Sequence, residues 1–317
     1  MSLINETLGG VTVGNPVQFR NLVMYPLLGT VAKPAAYLTL EEALGAGKCK
    51  ITEISDAGSV PELFFENLSP DKVLLLDGEE LMGAKQNRVL NLSILIGGQI
   101  KIKIPVSCVE HGRWRHQSAQ FHSPERVMYS RGRAAKMSSV SASIRDRGTR
   151  HSDQGEVWDL IAQKSARLNA HSDTGASEAI YEKHRASTQE YTQAIQPQPG
   201  QLGALFAING EVVGMDLFDA APTFNKVFGK LLTSYAIDAI DVDQEVTDAP
   251  PKGIVEQFLK HITAAKIESF NAVGEGHDIR LESAKVVGAG LQDGDRLVHL
   301  AAFQAAQVNG RRRFSRV

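Results

Sequence analysis

The chemically dense part of the chain begins with a polar run between two apolar segments. Residues 78–88 read Gly-Glu-Glu-Leu-Met-Gly-Ala-Lys-Gln-Asn-Arg. Glu79 and Glu80 are candidate acid–base groups, although neighbours on a strand point to opposite faces. Cationic and amide donors that suit a phosphate or a carboxylate end the run: Lys85, Gln86, Asn87 and Arg88. The alternative is a solvated turn, and the glycine spacing is not that of a phosphate loop.

A second dense stretch ends a predicted strand. Residues 104–114 read Ile-Pro-Val-Ser-Cys-Val-Glu-His-Gly-Arg-Trp, and loops at strand ends are common places for sites. Cys108 is a candidate nucleophile with His111 as its base, and Glu110 is a further acid–base candidate. Arg113 suits a phosphate, and Trp114 suits stacking on a base or sugar. The alternatives are an inert buried cysteine and a tryptophan that only packs.

No metal site or cofactor is assigned from the sequence. His111, His116 and His122 are separated by five and six residues, which matches no standard helical ligand pair, and carboxylates nearby are few. The two cysteines, Cys49 and Cys108, make neither a disulfide framework nor a four-thiolate zinc site.

Residues 113–150 form a basic segment. It contains nine Lys or Arg residues and two acidic residues, an excess of seven positive charges in a chain whose net charge is -2. The segment is a candidate contact for a polyphosphate or single-stranded RNA, but it has few aromatic residues for base stacking beyond Phe121 and Tyr129. A solvated basic loop is the alternative.

Overall composition is that of an ordinary globular protein. The chain has 317 residues, 43% of them hydrophobic and 22% charged, so it can bury a sizeable core. Its nearly neutral charge gives no field that recruits nucleic acid or an anionic membrane. The N-terminus lacks a signal-peptide pattern and no apolar stretch reaches 18 residues, so a cytoplasmic protein without a membrane partner is expected.

The elements that must position these residues are mostly strands at first. Residues 10–38 are predicted to be extended, and Thr39-Leu-Glu-Glu has the spacing of a capping box that opens a short helix. Helices are predicted over 155–168, 177–195 and 224–239, and a hairpin over 202–218 turns at Asn209-Gly210. Without regular strand–helix alternation, the pattern favours an α+β fold with antiparallel hairpins over a doubly wound sheet.

Domain organisation is predicted as one globular domain over residues 1–309. Its parts are a strand-rich region (1–114), a basic loop with helices (115–200) and a hairpin with helices (201–309). Residues 310–317 are expected to be a disordered basic tail, whose removal should change the melting temperature by only a few degrees. A homo-oligomer is an open candidate.

Strand periodicity also predicts how the two dense stretches meet. The apolar stripes of 88–96 and 100–110 face one core only if a three-residue loop, 97–99, joins them. That register sets Arg88 opposite Cys108 and Gln86 opposite Glu110. A guanidinium at the edge of a core must be paired, so Arg88 and Glu110 are predicted to form an ion pair.

In this site hypothesis that ion pair is the floor of the site, and Lys85 and Arg113 lie at its rim. Neutralising either rim cation is expected to abolish ligand binding and to spare the fold.

Residues 79–88 and 105–114 together resemble a known family, the first type of ADP-ribosylglycohydrolase and rhodanese-phosphatase-superfamily-associated proteins. Residues 203–218 and 224–239 fit the same family, so the resemblance covers most of residues 10–245. The family name implies genomic association with enzymes that handle ADP-ribose and phosphate esters, and it supplies no catalytic assignment. It adds weight to the residues of the two dense stretches and to a nucleotide-like ligand.

Two hypotheses about function follow. The chain is an enzyme or ligand-binding protein of nucleotide, ADP-ribose or RNA-end metabolism that recognises a small phosphate-bearing ligand, or it is a non-catalytic scaffold or oligomer subunit whose polar cluster is structural. A ligand site needs an open concave surface. A structural network needs every buried polar atom to be satisfied.

Overall fold

The largest layer of the molecule is a nine-stranded antiparallel sheet. The computed structural model describes residues 2–29, 34–55, 58–115, 117–242 and 248–309. The sheet combines both ends of that chain: β1 (Val11–Val13), β2 (Val17–Phe19), β3 (Leu22–Gly29), β13 (Gln201–Ile208), β14 (Glu211–Phe218), β15 (Lys266–Asn271), β16 (His277–Glu282), β17 (Val286–Asp293) and β18 (Arg296–Gln304). Its order is β1-β3-β13-β14-β18-β17-β16-β15, and β2 pairs with β3.

Two smaller sheets carry the segments between. A six-stranded sheet has the order β12-β8-β9-β11-β6-β5, and a three-stranded sheet has the order β10-β7-β4. Their strands are β4 (Leu38–Thr39), β5 (Cys49–Glu53), β6 (Glu62–Asn67), β7 (Val73–Leu75), β8 (Glu80–Gly83), β9 (Arg88–Leu90), β10 (Ile94–Ile96), β11 (Lys101–Cys108) and β12 (Phe121–His122).

Helices cover the sheets and fill the space between them. They are α1 (Leu3–Gly9), α2 (Leu40–Gly45), α3 (Ser130–Arg147), α4 (Gln154–Arg167), α5 (Glu178–Lys183), α6 (Arg185–Ala194), α7 (Ala221–Ile240), α8 (Lys252–Thr263) and α9 (Ala305–Asn309). A shared apolar cluster joins the nine-stranded sheet to α3, α7 and β10, for example through Phe206, Phe303, Leu95 and Met137. None of the helices in the described part of the chain is long and apolar enough to cross a membrane.

Several sequence predictions are confirmed. The fold is α+β with antiparallel sheets, apart from the parallel pair of β4 with β7. Thr39 caps α2 through a capping box with Glu42. The β13–β14 hairpin turns at Asn209 and Gly210, whose φ angles are 50° and 77°, as the left-handed positions of such a turn require. The predicted tail, residues 310–317, lies outside the described residues.

The basic loop predicted after residue 114 is corrected by α3. This helix buries Arg133 and Lys136, which are 0% and 1% exposed. Its polar and apolar residues are poorly separated between two faces, so helical periodicity is weak in the sequence. Its buried cations pair with Asp77 and Asp216, which come from remote parts of the chain. Four of the nine cations in residues 113–150 are buried, which reduces the basic surface open to RNA.

The hairpin predicted over residues 88–110 forms only in its lower half. Val106 pairs with Leu90 and Cys108 with Arg88, in the predicted register. The upper half is wrong: β10 pairs with β7, and the first part of β11 pairs with β6. Each of these strands had another apolar strand with which it could pair. The alternation within residues 88–110 alone could not indicate which of the possible partners would be used.

Candidate functional site

The two dense stretches meet where β9 and β11 pair. Cys108 lies directly opposite Arg88 at the ends of these strands. Gln154, at the start of α4, fixes this point by accepting from the Cys108 amide at 2.8 Å and donating to its carbonyl oxygen at 2.8 Å. The backbone around both residues is thus held by three elements, which is how a site gains rigidity.

Arg88 is fully buried and only partly hydrogen-bonded. Its Nη1 donates to Gln86 Oε1 at 3.1 Å and more weakly to the Asn87 carbonyl oxygen at 3.4 Å. Its Nε and Nη2 have no hydrogen-bond partner among the described residues. Burial lowers the pKa of this guanidinium, against the attraction of nearby groups that include Glu53 and Glu110. Leaving such donors unsatisfied is costly.

The predicted ion pair between Arg88 and Glu110 is wrong. Glu110 Oε2 instead accepts from Arg113, at 2.8 Å from Nε and 2.7 Å from Nη2. Its side chain also accepts from the backbone N–H of Asn87 at 3.1 Å and from Thr174 Oγ1 at 2.9 Å. Burial tends to raise the pKa of Glu110, but these donors hold it below its ordinary value. Glu110 is thus paired with Arg113, three residues along the chain, and not with Arg88 on the neighbouring strand.

Arg113 is saturated with partners. Besides Glu110, it donates to the carbonyl oxygens of Ala84, Arg115 and Gly83 and to Asn87 Oδ1, at 2.7–3.3 Å. All of this lies below the surface, since Arg113 is 5% exposed. Such a network meets the criterion for a structural role, so Arg113 braces the loop between β8 and β9 rather than standing at a rim.

Lys85 and Trp114 form the outer part of the cluster. The Lys85 Nζ lies 5.5 Å from the centre of the Trp114 ring, and the Arg88 guanidinium lies 6.0 Å from it. Trp114 is 49% exposed. Glu53, at the end of β5, accepts from the Lys85 amide at 3.3 Å through Oε1, whereas its buried Oε2 has no partner among the described residues. We call Glu53, Lys85, Arg88 and Trp114 the Arg88 site.

Glu79 and Glu80 are brought to different places, as their adjacency predicted. Glu79 pairs with Lys230 of α7 and accepts from the Leu76 amide at 2.8 Å. Burial raises its pKa to about 7 despite the attraction of Lys230. Glu80 accepts from Arg126 Nε at 2.8 Å and from Ser177 Oγ at 3.0 Å. Neither carboxylate belongs to the Arg88 site.

The Cys108 thiol is held as a protonated, buried group. Its Sγ donates to Gln86 Oε1 at 3.2 Å and contacts the Glu110 carbonyl oxygen at 3.3 Å. Burial raises its pKa, which works against the thiolate that a nucleophile needs. The proposed base, His111, packs its ring edge-on against Trp158 at 4.4 Å between centroids. This geometry fits the inert cysteine better than the nucleophile.

A groove of about 740 Å³ opens beside the cluster. It runs along α4 and residues 169–175, and His111 is the one residue of the dense stretches among its lining residues. Trp158, Ile161 and His171 are among its lining residues, while Lys85, Arg88 and Arg113 are not. The groove is therefore a neighbour of the Arg88 site and not its interior. Within the described ranges, no group of three or more His, Cys, Asp or Glu side chains is arranged to hold a metal ion; His116 lies outside them.

Some members of the cluster were missed from the sequence. Glu53 ends an ordinary alternating strand, Thr174 lies in a polar loop, and Gln154 is the first residue of α4. Each comes from a segment remote from residues 78–114, so no local spacing could have indicated them.

Comparison with known proteins gives one match. No curated protein and no solved structure matches the chain significantly. The sequence model of the ARG and Rhodanese-Phosphatase-superfamily-associated Protein domain, ARPP-1, matches residues 10–303. That span includes all residues of the Arg88 site and every strand of the three sheets except the last residue of β18. The chain belongs to the ARPP-1 family.

Proposed function

We propose that this protein binds a phosphate-bearing ligand of nucleotide or ADP-ribose type at the Arg88 site. One observation carries the proposal: a buried arginine keeps two donors without partners beneath an exposed tryptophan. A buried, incompletely paired guanidinium destabilises a fold, and a ligand that completes its hydrogen bonds would remove that cost. The family name, which links the domain to ADP-ribosylglycohydrolase contexts, supports this ligand class.

The chemistry of the site matches the three parts of a nucleotide. Arg88 Nε and Nη2 are two donors of a planar fork, the geometry that binds phosphate or carboxylate oxygens in pairs. Glu53 Oε2 is a buried acceptor for a sugar hydroxyl. Trp114 offers an exposed ring face for a base. Lys85 adds a second positive charge beside the same ring.

The saturated network around Arg113 then acts as support. It fixes the loop that carries Lys85, Gln86 and Asn87, and it leaves Arg88 as the residue with capacity to bind. This division revises the expectation that Arg113 is a ligand-binding residue whose neutralisation spares the fold. Catalysis at Glu79, Glu80, Cys108 or Glu110 is not part of the proposal, because each is buried and engaged with protein partners.

Thermal unfolding with defined ligands tests the proposal. ADP-ribose, ADP, ribose 5-phosphate, adenosine and inorganic phosphate are compared for the shift in melting temperature that each produces. A ligand present at 100 times its dissociation constant stabilises the fold by about 2.7 kcal/mol. We expect ADP-ribose or ADP to stabilise the protein and adenosine, which lacks phosphate, to have little effect. No stabilisation by any of the phosphate-bearing compounds would contradict the proposal.

Two matched arginine variants separate binding from structure. Arg88→Met removes a charge without complete pairing, so the unligated protein should melt at the same or a higher temperature and lose its response to ligand. Arg113→Met leaves Glu110 buried without its partner, which should cost about 3–5 kcal/mol. If Arg88→Met is destabilised as much as Arg113→Met and still responds to ligand, Arg88 is structural and the proposal is wrong.

A further inference from the structure

A serine, a histidine and an aspartate form a hydrogen-bonded chain outside the Arg88 site. Ser93 Oγ lies 2.8 Å from His299 Nδ1, and His299 Nε2 lies 3.2 Å from Asp216 Oδ1. Ser93 precedes β10, whereas the other two residues lie on the paired strands β18 and β14. In that pair His299 lies opposite Phe218, two residues beyond Asp216, so both side chains share one face of the sheet.

Asp216 is positioned to define the state of the histidine. Arg133 holds it through two bonds, Nη1 to Oδ2 at 3.1 Å and Nη2 to Oδ1 at 2.7 Å, and the Tyr235 hydroxyl donates to Oδ2 at 3.0 Å. Although burial opposes it, Arg133 holds the pKa of Asp216 well below its ordinary value. The ionised carboxylate accepts from His299 Nε2–H, and this tautomer leaves Nδ1 free to accept the Ser93 proton.

The histidine ring and the serine oxygen are both held in place. Phe218 stacks on His299 with 4.6 Å between ring centres. The Asp77 amide donates to Ser93 Oγ at 2.9 Å. His299 is 1% exposed, whereas Ser93 is only partly buried. The base is therefore sheltered from water, while Ser93 keeps part of its surface exposed.

A buried arginine faces the same space. Arg280 is 1% exposed, and it lines a small cavity together with Ser93, Asp77, Asp278 and His299. Its Nη2 donates to Asp278 at 2.8 Å, but its Nε and Nη1 have no partner among the described residues. The cavity is about 10 Å³, which is room for about one oxygen atom. A single oxygen placed there would accept from Arg280.

We infer that Ser93 is the nucleophile of a second site that hydrolyses carboxylic esters with a short acyl group. His299 is the general base, Arg280 stabilises the oxyanion, and Asp216 is a positioning residue. The four roles are those required for acyl transfer: a nucleophile bonded to a base, a base bonded to an orienting group, and donors facing the reacting oxygen. Once the carbonyl oxygen fills this small cavity, no space is left in it for a long acyl chain.

The reaction balances with water as the only co-reactant. Ser93 Oγ bonds to the ester carbonyl carbon while its proton passes to His299 Nδ1, and the carbonyl π electrons move to the oxygen beside Arg280. The tetrahedral intermediate expels the alkoxide, which takes the proton from His299. Water then attacks the acyl-serine in the same way, giving the carboxylic acid and restoring the Ser93 hydroxyl.

Labelling with a fluorophosphonate tests the nucleophile directly. Such a probe forms a phosphorus–oxygen bond to an activated serine and releases fluoride, and mass spectrometry of the digested protein locates the adduct. We expect one adduct, on Ser93, in the native protein. An adduct on other residues only, or labelling no greater than that of heat-denatured protein, would overturn the inference. This arm needs no variant, so it does not depend on a mutant's folding.

Hydrolysis of 4-nitrophenyl acetate tests the activity. Ser93→Ala should lower the rate roughly 100-fold or more, since losing one member of such a unit removes most of its contribution. Ser123→Ala is the matched control, because Ser123 is also a partly buried serine, and its hydroxyl donates to Glu41 Oε1 at 3.0 Å. It should hydrolyse at the native rate. The native protein should prefer the acetate to the octanoate ester; equal rates for Ser93→Ala and native protein would refute the assignment.

Discussion

Arg88 and Arg113 show how the environment decides the role of one residue type. Both are buried in the same cluster. Arg113 makes five hydrogen bonds to protein atoms, while Arg88 directs one of its three nitrogens to them and leaves two without partners in the described structure. In sequence both are arginines within a dense stretch. Satisfaction of hydrogen bonds depends on backbone carbonyl groups, whose directions are set only by the folded loop.

Glu79 should make stability depend on pH near neutrality. Its pKa is raised from 4.5 to about 7 by burial. In the folded protein it keeps its proton below pH 7, whereas in the unfolded chain it ionises above pH 4.5. Its contribution is therefore fully present below pH 4.5 and is lost as the pH rises through 7, a change of roughly 3 kcal/mol.

Urea unfolding at pH 5 and pH 8 measures this effect. The native protein should lose stability between these two values. Glu79→Gln carries an amide that does not ionise, so its loss over the same interval should be smaller by most of that amount. An unchanged difference between the two pH values in the variant would show that Glu79 is ionised throughout, held by Lys230.

Among the elements, β11 shows both what periodicity predicts and where it fails. Alternation correctly placed Cys108 opposite Arg88, because a slip of one residue would turn every apolar side chain to the other face. The first half of β11 was assigned to the wrong neighbour. It pairs with β6, where Ile104 lies opposite Leu63, an apolar partner as suitable as the one predicted. Alternation specifies a face, but it does not choose among several strands that share the pattern.

Helix α3 was missed because its buried residues are a mixture of polar and apolar side chains. Periodicity predicts helices from an apolar stripe, yet α3 buries Arg133 and Lys136 against Asp77 and Asp216. Only the three-dimensional position of these two aspartates makes such a face stable. Helix α7, which has an apolar face, was predicted almost to its ends.

The turn between β10 and β11 should tolerate alanine at one glycine and not at the next. A Cβ on Gly98 would lie 2.3 Å from the carbonyl oxygen of Pro70, which belongs to the backbone. A Cβ on Gly97 would meet only the end of the Glu275 side chain, at 2.5 Å, and that end can move. Gly98→Ala should therefore cost roughly 1–3 kcal/mol.

Gly97→Ala is the control and should be close to neutral, because alanine also lowers the entropy of the unfolded chain. Chemical denaturation of both variants gives the comparison. Equal stability of the two would mean that the Pro70 segment yields easily and that the close approach has little energetic weight.

Across the whole molecule, segments that are far apart in sequence pack together more than the sequence indicates. The predicted division into residues 1–114, 115–200 and 201–309 follows composition, but the nine-stranded sheet is built from both ends of the chain. In sequence, the two smaller sheets and α2–α6 all lie between β3 and β13 of that sheet, and we call residues 30–200 the inserted segment. Fold class and the approximate position of the dense cluster could be predicted locally. The pairing of β13 with β3 joins residues more than 170 positions apart in sequence, and so does the hydrogen bond between Ser93 and His299. Neither could be predicted locally.

Unfolding should nevertheless be a single cooperative transition, as the prediction of one domain over residues 1–309 requires. One apolar cluster includes Leu95 and Met137 of the inserted segment with Phe206 and Phe303 of the large sheet. The buried pair between Arg133 and Asp216 crosses the same boundary. Unfolding the inserted segment alone would expose that cluster and leave a carboxylate buried without its partner, at a cost of about 3–5 kcal/mol for the pair alone.

The two tryptophans make this measurable, because Trp114 and Trp158 both lie in the inserted segment. Their fluorescence follows that segment, while far-ultraviolet circular dichroism follows the helices and strands of the entire chain. Urea curves from the two signals should share one midpoint and one slope, the mark of two-state behaviour. Arg133→Met should move both midpoints together to lower urea. A fluorescence transition that precedes the dichroism transition would instead show that the inserted segment unfolds as a separate unit, since only then can the surroundings of its tryptophans change while the nine-stranded sheet persists.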